Sequence, residues 1–204
     1  MKLGSSAGSE YTNETWTNEN VYIEPVDGTD EHSGHKTTIY NINGAKTLNN
    51  QTMGTTLKET GIYEITVITT DNMGNKANNT YTVKIDKENP TCGTVTMKLG
   101  SSTGSEYTNN TWTNESIYIA PVNGSDNHSG HNSTKYSVSG AIELNDQTEG
   151  ITLTETGIYT ITVETADTVG NTATNSYTVK IDKTAPTAGT MAMKLNSNEG
   201  TTYI

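Results

Sequence analysis

Acidic side chains recurring at fixed places in turn sequences are the residues of this chain whose types and spacing could do chemistry. Asp71 and Asp167 open the pattern D-x-x-G-N, Asp30 and Asp126 open D-x-x-S-G, and Asp86 and Asp182 follow the last apolar residue of Y-T-V-K-I-D-K. Loop carboxylates are the donors that a hard cation such as Ca2+ takes, about six to eight oxygens at a time with backbone carbonyls. The same residues can instead shape the turn, because an Asp side chain accepts backbone amides two residues on. All four histidines, His32, His35, His128 and His131, fall in two copies of H-S-G-H. With Asp30 or Asp126 two residues upstream they offer imidazole and carboxylate, the ligand types of Zn2+, although the sequence fixes no fourth ligand. Ser33 and Ser129 sit beside a His and near an Asp, but adjacent residues on one turn rarely reach triad geometry. There is no Gly-rich phosphate loop, pair of catalytic carboxylates or Cys nucleophile, so the expectation is a protein that is not an enzyme.

Other side chains have two readings each. Trp16 and Trp112, beside Tyr11 and Tyr107, could stack on sugars, but the W-T-N sequence directly precedes a strand and is expected to cap one end of the core. Cys92 aligns with Ala188 and so carries no repeated disulfide or metal role; it reads as a small residue near a strand start. N-x-S/T triplets such as those at Asn13, Asn109 and Asn114 are expected by composition in so Asn- and Thr-rich a chain.

The elements that must position these residues come in two copies. Met1-Lys2-Leu3-Gly4-Ser5-Ser6 returns at Met97, and Met193-Lys194-Leu195 opens a third copy, which sets a period of 96 residues. Roughly two-thirds of the positions match between the full copies without an insertion, the signature of a tandem array. The third copy stops at Ile204, so the chain reads as a window of a longer array. Within each copy, Thr60–Thr91 and Thr156–Thr187 alternate Tyr63, Ile65 and Val67 (Tyr159, Ile161 and Val163) on one face, then Tyr81, Val83 and Ile85 (Tyr177, Val179 and Ile181). That period of two predicts a half-buried antiparallel hairpin turned by D-x-x-G-N. Upstream, strands are expected at Thr94–Leu99, Ser116–Val122, around Tyr136 and Val138, and at Ile151 and Leu153, with a further short one near Ile142–Leu144. Six or seven strands in 96 residues is the size and rhythm of an immunoglobulin-like β-sandwich. Tyr63 and Tyr159 occupy the place, near the start of the penultimate strand, from which a Tyr bonds back to upstream backbone in such sandwiches.

Composition agrees with a thin-cored all-β chain: 30% hydrophobic residues, no Phe and a net charge of −11. The acidic balance argues against nucleic acid and anionic membrane as partners, which need a basic surface, and leaves cations, sugars and basic proteins open. No apolar run is long enough to insert in a membrane.

The order W-T-N, D-x-x-S-G, T-G-x-Y-x-I-T-V-x-x-x-D-x-x-G-N and Y-T-V-K-I-D-K-x-x-P-T resembles the bacterial immunoglobulin-like (Big-type) repeats of cell-surface proteins and adhesins, over essentially the whole chain. The chain departs from that pattern at His35 and His131, where an apolar residue commonly follows S-G. The resemblance implies an extracellular location on a bacterial surface and a spacer or stalk role, with calcium at the junctions of some arrays.

The expected architecture is therefore all-β: tandem immunoglobulin-like β-sandwich modules of about seven antiparallel strands each, spanning 1–88 and 89–184, with 185–204 as the first strand of a third, incomplete module. The linkers Asp86–Pro90 and Asp182–Pro186 are too short and Pro-marked to be flexible tethers. A sandwich ends its last strand at one pole and places the loop after its second strand, and that between its last two, at the other. Asp86 of the first module is thus expected to approach Asp126 and Asp167 of the second, where Ca2+ would relieve their repulsion and stiffen the joint. The leading function is a structural stalk whose partners are its neighbouring repeats. Two alternatives stay open: an adhesin module that binds surface carbohydrate or host protein, and a fibre subunit that self-assembles by strand complementation.

Overall fold

The computed structural model describes residues 1–193, and among them no residue is helical. The first repeat carries β1 (Lys2–Leu3), β2 (Trp16–Thr17), β3 (Val21–Ile23), β4 (His35–Gly44), β5 (Leu48–Gln51), β6 (Thr55–Leu57), β7 (Gly61–Asp71) and β8 (Lys76–Ile85). The second carries β9 (Thr94–Leu99), β10 (Trp112–Thr113), β11 (Ile117–Val122), β12 (His131–Gly140), β13 (Leu144–Gln147), β14 (Ile151–Leu153), β15 (Gly157–Asp167) and β16 (Thr172–Ile181). Each repeat builds a three-stranded sheet, ordered β1-β3-β6 or β9-β11-β14, and a five-stranded one, ordered β2-β8-β7-β4-β5 or β10-β16-β15-β12-β13.

Two features correct the sequence expectation of about seven antiparallel strands. There are eight strands per repeat, and the added ones, β2 and β10, run parallel to β8 and β16 with Trp16 opposite Lys84 and Trp112 opposite Lys180. The physical reason is the preceding loop, which is pinned rather than loose. Tyr11 and Tyr107 are buried, their hydroxyls accepting from the amides of Lys84 and Lys180 and donating to the carbonyls of Thr15 and Thr111. This plug, not the tryptophan, closes the core, and it lays the next two residues along the sheet edge. Trp112 is 58% exposed, with the Lys180 ammonium 5.9 Å from its ring centre, which corrects the expectation of a core cap.

The β7–β8 and β15–β16 hairpins form antiparallel as predicted, with Tyr63 opposite Val83 and Tyr159 opposite Val179. Their turns need Gly74 and Gly170, which hold φ of 91° and 93°. Tyr63 and Tyr159 lie in the core and donate hydroxyl hydrogen bonds of 2.7 and 2.6 Å to the carbonyls of Glu59 and Glu155. Between the two sheets of the second repeat lies one apolar cluster that includes Ile117, Ile119, Leu153, Ile161 and Val179; Val21, Leu57, Ile65 and Val83 belong to its counterpart in the first. Residues 182–193 are exposed and hold no strand; the rest of the expected third-module strand lies outside the described residues.

Candidate metal site between the two repeats

β8 delivers its last residue, Ile85, into the first core, so the next position, Asp86, emerges at the end of the sheet. Its amide donates to Thr17 O at 2.8 Å and fixes the chain direction there. The second repeat then covers it. Ser129 N donates to Asp86 Oδ2 at 3.0 Å, Asn171 Nδ2 donates to Asp86 O at 3.1 Å, and Glu88 N donates to Asp86 Oδ1 at 3.1 Å. Asp86 is 0% exposed, whereas its counterpart Asp182 lies open and, among the described residues, accepts only Thr184 N.

Asp126 and Asp167 arrive from two loops of the second repeat. Asp126 Oδ1 accepts the amides of His128 and Gly130 at 3.0 and 2.7 Å, an Asx turn that forms the D-x-x-S-G loop. Asp167, also 0% exposed, accepts the amides of Val169 and Asn171 through Oδ1 and the Asn171 side-chain amide through Oδ2 at 2.6 Å. One carboxylate oxygen from each of Asp86, Asp126 and Asp167 lies within 4.8 Å of the others. Among the described residues this is the group of three or more His, Cys, Asp and Glu with that proximity, and no lysine or histidine pairs with any of its carboxylates. The hydroxyl of Ser129, whose amide holds Asp86, is buried without a hydrogen-bond partner. At the uncovered loop of the first repeat, Ser33 Oγ instead donates to Asp30 Oδ1 at 3.2 Å.

The electrostatics follow from these bonds. Burial pushes the Asp126 carboxyl up, but the amides of Gly130 and His128 outweigh it and hold the group below the usual carboxylate value. In the first repeat the Gly34 amide lowers Asp30, and the Asn75 side-chain amide lowers Asp71. In Asp126 the Asx-turn reading and the ligand reading describe different oxygens, Oδ1 being committed to the turn while Oδ2 makes no hydrogen bond among the described residues; Asp86 and Asp167 each accept hydrogen bonds through both oxygens.

The remaining candidates separate. His35 and His131 place Nε2 at 2.9 Å from Thr38 Oγ1 and Thr134 Oγ1, and neither H-S-G-H pair joins an acidic cluster. His128 packs at the joint, its ring edge-on to Trp16 at 6.2 Å and its Nδ1 3.7 Å from Glu88 Oε2. Composition and spacing carried no signal for this cross-repeat contact. Asn13 and Asn109 accept the amides of Thr82 and Thr178, so both act as strand braces. With Tyr11 and Tyr107 buried, the alternative of a sugar-stacking platform around Trp16 and Trp112 loses its tyrosines. No protein-family model and no curated protein matches the chain.

Proposed function

We propose that the chain is a pair of immunoglobulin-like modules of the bacterial Big type, acting as an extracellular spacer whose joint is stiffened by Ca2+ held between Asp86, Asp126 and Asp167. The observation that carries this reading is the convergence of three carboxylates from two repeats across a linker of a few residues, two of them fully buried and none paired with a cation. Three such charges repel strongly where water is excluded, and a divalent ion is the partner that satisfies all of them at once. Three carboxylates supply three to six oxygens, and the unpartnered Ser129 hydroxyl is a further donor of the right type. Bound ion would tie the end of β8 to both loops and resist bending. The buried tyrosine hydroxyls returning to Glu59 O and Glu155 O support the immunoglobulin-like assignment.

Small-angle scattering tests the stalk reading. In millimolar Ca2+ the distance distribution should be that of one extended particle, and excess EDTA should shorten and broaden it. A profile indifferent to Ca2+ would remove the ion from the account.

A further inference from the structure

Beside the three carboxylates, the joint leaves one histidine nitrogen without a partner. His128 Nδ1 is buried and makes no hydrogen bond among the described residues, a costly state for a polar atom unless a water or an ion fills it. Glu88 Oε2 lies 3.7 Å away, too far for a hydrogen bond. Both side chains line a cavity of about 30 Å³, with Thr91, Ser125 and Asp126 among its other walls. That is room for one water molecule or one ion.

The walls of this cavity are held in place from both repeats. On the linker side, Glu88 N donates to Asp86 Oδ1 at 3.1 Å, Pro90 is buried, and Thr91 exchanges backbone hydrogen bonds of 2.8 and 3.1 Å with Ser125. On the loop side, the His128 amide donates to Asp126 Oδ1 at 3.0 Å, and the imidazole stands edge-on to Trp16 with ring centres 6.2 Å apart. These contacts fix the backbone and the ring together, so a neutral imidazole with its proton on Nε2 presents a lone pair at Nδ1 beside the Glu88 carboxylate. The pair is particular to this joint, because the linker position equivalent to Glu88 is Thr184.

We propose that His128 Nδ1 and Glu88 Oε2 bind a divalent transition-metal ion of the Zn2+ type across the joint, at a site separate from the three carboxylates. Imidazole and carboxylate hold Zn2+ at about 2.0–2.2 Å, and two such donors on one tetrahedral ion stand about 3.4 Å apart. The observed 3.7 Å is within a few tenths of that span, and the Glu88 side chain is exposed enough to supply the difference by a small rotation. A nitrogen donor selects the softer ion, whereas Ca2+ takes the all-oxygen set of Asp86, Asp126 and Asp167. Two protein donors leave the other positions to water, so the ion exchanges freely and fastens the joint only while the metal is supplied. When bound, it ties Glu88 of the linker to the loop that carries Asp126.

Calorimetric titration of Zn2+ into the tag-free chain, with millimolar Ca2+ present to compete for the three carboxylates, reads this site. The wild type should take up one Zn2+ at the joint, and Glu88→Gln and His128→Gln should each weaken that binding by about tenfold or more. Glu88 is an exposed linker residue, so Glu88→Gln should melt with the wild type when Zn2+ is absent. Added Zn2+ should raise the wild-type melting temperature and leave that of Glu88→Gln where it was, since an ion bound only by the folded joint stabilises it. His32→Gln, at the exposed histidine one repeat earlier, should bind as the wild type does. The proposal is overturned if the wild type takes up no Zn2+ at submillimolar concentration, which leaves the cavity to water. It is equally overturned if Glu88→Gln binds unchanged, or if His32→Gln weakens binding as much as His128→Gln.

Discussion

At the scale of single residues, the carboxylates do most of the organising. Asp71 is held below the usual carboxylate value by the Asn75 side chain and by the amides of Asn75 and Met73. Its folded pKa therefore lies under its unfolded one. The stability it contributes is complete above about pH 4 and is lost as pH falls through the lowered folded value. Asp71→Asn keeps an acceptor for the turn amides but does not titrate, so its melting temperature should sit below wild type at neutral pH and the gap should close in acid. A gap constant with pH would contradict the assignment. Tyr63→Phe removes the bond to Glu59 O without opening a cavity, and should cost about 1 kcal/mol in urea unfolding. A loss near zero would mean that water replaces the bond.

At the scale of elements, the hairpins were legible because their apolar residues alternate strictly and their turns contain the Gly that a positive φ requires. The convergence of Asp86, Asp126 and Asp167 was legible too, since it follows from which pole each loop occupies. What alternation could not reveal was the plug made by Tyr11 and Tyr107, because a tyrosine in a polar loop looks the same whether it stacks on a ligand or reaches back to a strand amide. The eighth strand was missed for the same reason: two residues on an edge have no period. In the chain of 204 residues the first repeat has no counterpart of Thr91–Thr96 and buries fewer apolar side chains than the second. Unfolding should therefore show the first repeat melting before the second, and tyrosine-to-phenylalanine changes at Tyr63 and Tyr159 should shift the earlier and later transitions respectively. A single transition moved equally by both would show that the joint couples the repeats into one unit.

At the scale of the molecule, the joint is where the two repeats become one object. Asp86 is held by Ser129 and Asn171, and His128 packs on Trp16, so the linker has a defined geometry before any ion is added. Protein contacts alone leave the three carboxylates without a positive partner. The most direct test of the account is calorimetric titration of Ca2+ into EDTA-treated, dialysed protein, with Asp86→Asn alongside. That variant keeps the acceptor for Glu88 N and removes one of the three charges. The account predicts one Ca2+ per chain for the wild type, with affinity at least tenfold weaker in Asp86→Asn, a loss of about 1.4 kcal/mol or more. Absence of binding at millimolar Ca2+, or binding that Asp86→Asn leaves unchanged, would contradict it.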